Sequence, residues 1–62
     1  MTPEQIDAVA VAIGRVIAKE EAPRGIDGLS RATLVEEMAQ GMKQSLRPHA
    51  EAAIAALRKA VN

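Results

Sequence analysis

Ala8-Val9-Ala10-Val11-Ala12-Ile13-Gly14-Arg15-Val16-Ile17-Ala18 decides how this chain folds, because Arg15 is the only polar residue in the stretch. Ile6, Val9, Ile13, Val16 and Ile17 recur at helical spacing and mark one face of a helix. The remaining apolar positions fan out around it, since successive residues turn by about 100°. One or two neighbouring helices within so short a chain cover only one side of such a helix. The pattern therefore predicts that one face packs within the chain and another on a second chain. The candidate interaction face is Val9, Ala10, Val11, Ile13, Gly14, Ile17 and Ala18, joined by Met38 and Met42 one turn apart further along. Within it Ala10, Gly14 and Ala18 form a ridge with almost no side chain. A glycine inside a helix costs up to about 1 kcal/mol relative to alanine, and close approach of another helix backbone would offset that. Alanine-rich helices also tolerate exposure, which is the plainer reading of the same stripe.

Outward from this stretch the boundaries are legible. Thr2, Pro3, Glu4 and Gln5 combine an N-cap, a proline at the first helical position and a glutamine three residues after the cap. The first helix is expected over about 3–22, ended by Pro23 and Gly25, with a loop at 23–29. A second arm starts near Ser30 or Thr33, two competing caps of which Ser30 is favoured. Val35, Met38, Met42, Leu46, Ala50, Ala53, Leu57 and Val61 then hold one helical phase, straight across Pro48. Proline lacks the amide donor and clashes with the carbonyl four residues back, so a kink or break is expected there, giving helices over about 30–46 and 48–61. Strands are not expected. The predicted fold is all-α: a small helical hairpin or three-helix module, its second arm kinked or broken at Pro48, forming one domain over 1–62 and associating as an oligomeric bundle.

Composition agrees. The 62 residues hold thirteen alanines and no Phe, Tyr, Trp or Cys, so the core is thin and no disulfide can brace it. Domains this small commonly lean on a metal, a disulfide or association with another chain. His49 is the sole imidazole and has no carboxylate cluster at metal-ligand spacing, so no metal or cofactor is expected. No stretch reaches the length of a membrane span and no secretory signal is visible, which makes the cytoplasm the expected compartment.

The formal net charge is zero, unlike the basic footprint of proteins that hold nucleic acid by counterion release. Its distribution is uneven: residues 1–40 carry three more acidic than basic groups, and residues 41–62 the reverse. Such opposed halves favour antiparallel or head-to-tail association.

Catalytic constellations are missing. Ser45 stands four residues before His49, but Glu51 is the only acid near them, and the adjacent pairs Glu20–Glu21 and Glu36–Glu37 diverge around their helices. No phosphate cradle occurs, and so small a chain has little room for a substrate cavity. The expected function is a non-enzymatic protein–protein interaction module, an assembly or adaptor subunit or small inhibitor such as a bacterial or phage accessory protein. A protein partner is expected, above all a second copy in a homodimer, and no small-molecule substrate. An oligomerisation segment of a longer protein is a further alternative.

One junction points elsewhere. Gly28-Leu29-Ser30-Arg31-Ala32-Thr33-Leu34 resembles the helix–turn–helix junction of ribbon-helix-helix repressors, in which the first turn of the second helix grips a phosphate. That resemblance implies a small DNA-binding regulator, with Ser30 and Arg31 as phosphate contacts. The family reads the major groove through a basic strand ahead of its first helix, and Met1 and Thr2 ahead of Pro3 supply none. DNA binding is therefore the alternative reading.

Overall fold

Thr2 opens the first helix in the manner its neighbours predict. Its hydroxyl accepts from the Gln5 amide at 3.2 Å, and the Gln5 side-chain oxygen accepts from the Thr2 amide at 3.0 Å. This reciprocal cap launches α1 (Pro3–Glu21), with Pro3 in the first turn where its missing donor costs nothing. Pro23 ends it by holding the preceding Ala22 in an extended conformation, φ −65° and ψ 141°. In the computed structural model, which describes residues 2–61, a short connection over 22–27 leads to a second, antiparallel helix, α2 (Gly28–Val61). No described residue has a positive φ, so the chain reverses without a left-handed glycine at Gly25 or Gly28.

The second arm departs from expectation at both its start and its middle. Asp27, not Ser30, is the cap. Its carboxylate accepts from the Ser30 amide at 2.9 Å and the Ser30 hydroxyl at 2.8 Å, and its carbonyl takes the Arg31 amide at 2.9 Å. Ser30 thus sits inside the first turn. The helix then continues through Pro48 without dividing into 30–46 and 48–61, so the architecture is a two-helix hairpin and not a three-helix module. The physical reason lies in where Pro48 stands. Both Pro48 and Gln44, whose carbonyl loses its donor, are exposed, so water can satisfy that carbonyl. The unbroken apolar phase supplies the packing that keeps the two segments one continuous helix.

Packing centres on the small ridge. Ile6, Ala10, Gly14 and Ala18 repeat every four residues and are buried, as is Val11, whereas Val16, expected on the packed face, is 62% exposed. The large side chains flank this ridge. Val9, Ile13, Leu46 and Ile54 pack around Ile6, Ala10 and Ala50, while Leu34, Met38 and Met42 pack around Ala18, Ala22 and Val35. A ridge of i±4 residues lying in the groove of another helix is a common packing mode in globular proteins. The 19 residues of α1 cannot cover the 34 of α2. Leu57 and Val61, in phase with the core, are consequently 70% and 77% exposed.

Candidate functional site

The two long sides of the hairpin differ in chemistry. On one, Arg15 grips Glu36 with two hydrogen bonds, Nε to Oε2 at 2.8 Å and Nη2 to Oε1 at 2.9 Å. Glu36 also accepts from Gln40 at 3.4 Å. The Arg15 hydrogen bonds, seconded by that of Gln40, hold the Glu36 carboxyl below its ordinary pKa, and the same contact raises that of Arg15. Nearer the other end Arg47 reaches Asp7 at 3.2 Å and Glu51 at 3.9 Å. Asp7, Ala8, Val11, Arg15, Gln40 and Lys43 line a shallow cleft between these two sets of ion pairs. Since the ion pairs stand about half in solvent, they set the register of the helices more than they stabilise them.

The other side carries no charge along its middle, with Glu20 and Arg31 on it near the connection and Lys59 near the open end. Helical spacing puts Val9, Ile13 and Val16 of α1 there, and Met38, Met42, Ser45, His49, Ala52, Ala53 and Ala56 of α2. Of the nine residues expected to form the interaction face, Ala10, Val11, Gly14 and Ala18 are covered by the chain's own second helix. Val9, Ile13, Ile17, Met38 and Met42 remain partly exposed. Val16, Leu57 and Val61, outside that set, add more accessible apolar surface than any of these. Val16 was legible as apolar but was counted towards the core. Leu57 and Val61 could have been found from the unequal lengths of the two arms.

At the open end of the hairpin a groove of about 320 Å³ is lined by Gln5, Val9, Ile54, Leu57, Arg58 and Val61. It holds one charged side chain and no carboxylate, which suits apolar contact and offers nothing for acid–base chemistry. Elsewhere Glu51 is turned to Arg47, Ser45 and His49 lie exposed on the opposite side, and no group of described residues has the makings of a metal site. None of the described helices is long and apolar enough to cross a membrane.

No family model, curated protein or solved structure matches this chain.

The junction that resembles a phosphate grip is occupied from within. Ser30 spends its amide and hydroxyl on Asp27, whose carboxyl is held below its ordinary pKa first by that amide and then by that hydroxyl. An anionic side chain thus fills the place a phosphate would take at this helix start. Arg31 points back instead and donates through Nη2 to the Lys19 carbonyl, closing the C-terminal end of α1, while its Nε is buried without a partner among the described residues. Ser30 is used in capping the start of α2, and Arg31 in joining α2 to the end of α1.

Proposed function

We propose that this chain is a non-enzymatic protein–protein interaction module, an assembly or adaptor subunit that acts by helix packing and associates with a second copy of itself. The observation that carries this reading is the side of the hairpin that is uncharged along its middle, with Val16 62% exposed towards the connection and the small and half-buried apolar residues around it. Two antiparallel helices enclose no core of their own beyond a single seam, and closing a second such seam makes a four-helix bundle. A two-fold dimer is the simplest closed assembly that covers one face on each copy. The engaged states of Ser30, Arg31 and Asp27 support this reading over a DNA-binding one.

Sedimentation equilibrium tests it directly. The expected result is a mass near twice the 6.6 kDa of the chain, concentration-dependent and unchanged by added duplex DNA. A species that keeps the monomer mass into the millimolar range would overturn self-association. Salt-sensitive DNA retention would replace the reading with the regulator.

A further inference from the structure

We draw no further inference here: the strongest candidate, the apolar groove at the open end of the hairpin between Val9 of α1 and Ile54, Leu57 and Val61 of α2, is an unpartnered face, and nothing in the structure shows what covers it.

Discussion

Gly14 and Ala39 meet backbone to backbone: a β-carbon placed on Gly14 would stand 3.1 Å from both the Cα and the carbonyl oxygen of Ala39, and 3.3 Å from its Cβ. This contact sets the spacing of the whole hairpin, because no other described glycine has a neighbour within 4 Å of such a carbon.

Replacing Gly14 by alanine opposes two effects. Alanine is the better helix former by about 1 kcal/mol, but its methyl must push aside backbone and not a flexible side-chain tip, and overpacking of this kind costs about 1–3 kcal/mol. The net expectation is a lower melting temperature by circular dichroism, with Gly14→Leu losing cooperative unfolding altogether. Gly41→Ala serves as the control. Its site is open, so it should gain up to about 1 kcal/mol and melt higher. A higher melting temperature for Gly14→Ala would show that the helices are not held at this spacing.

Acid should loosen the start of α2. Asp27 and Glu36 both have carboxyls held below their ordinary values of 3.8 and 4.5. A depressed carboxyl stabilises the fold above its unfolded pKa, and that contribution is lost as the pH falls through the lower folded value. Thermal stability should therefore be level from pH 7 to about 5 and fall below about 4. Asp27→Asn, which keeps the cap geometry without the charge, should flatten part of that fall. Asp27→Ala should lower the melting temperature at neutral pH as well. An unchanged acid profile in Asp27→Asn would remove Asp27 from the account.

Pro48 stands in the exposed middle of a helix that does not stop for it. Restoring the amide and removing the ring should stabilise the chain, so Pro48→Ala is expected to gain about 2 kcal/mol. The amides around residue 48 should also exchange with solvent more slowly. A variant that is less stable would mean that the proline shapes a bend on which the packing depends.

Much of this was legible in the sequence where chemistry is local. Thr2 and Gln5 announce the first helix because both halves of their reciprocal contact lie within one turn. Pro23 marks its end for a similar reason. The start of α2 was misread because Ser30 is a good cap in isolation. Asp27 lies three residues earlier and, with both oxygens free to accept, captures the serine itself. At Pro48 a strong local rule stood against a weaker but longer signal, the unbroken apolar phase, and the longer signal prevailed because the residue faces water. The ion pairs between the two helices could not be foreseen. Arg15 and Glu36 are 21 residues apart and Asp7 and Arg47 are 40, so only the register of the finished hairpin brings them together. Val11 shows the same gap: its apolar character was evident, but its burial against the chain's own second helix depends on the ridge that carries Gly14 to Ala39.

The mismatch in helix length divides α2 into parts that hold their shape for different reasons. Up to about Ala50 the helix is clamped by its neighbour, and amide protons there should exchange only when the seam opens. Beyond Ile54 nothing clamps the outer turns, and what keeps them wound is mainly the helical preference of Ala55, Ala56 and Ala60. Those turns should fray on a faster clock than the rest, which makes them a built-in reporter. A neighbouring molecule settling over Leu57 and Val61 would announce itself as slowed exchange in the last two turns before it altered anything in the seam.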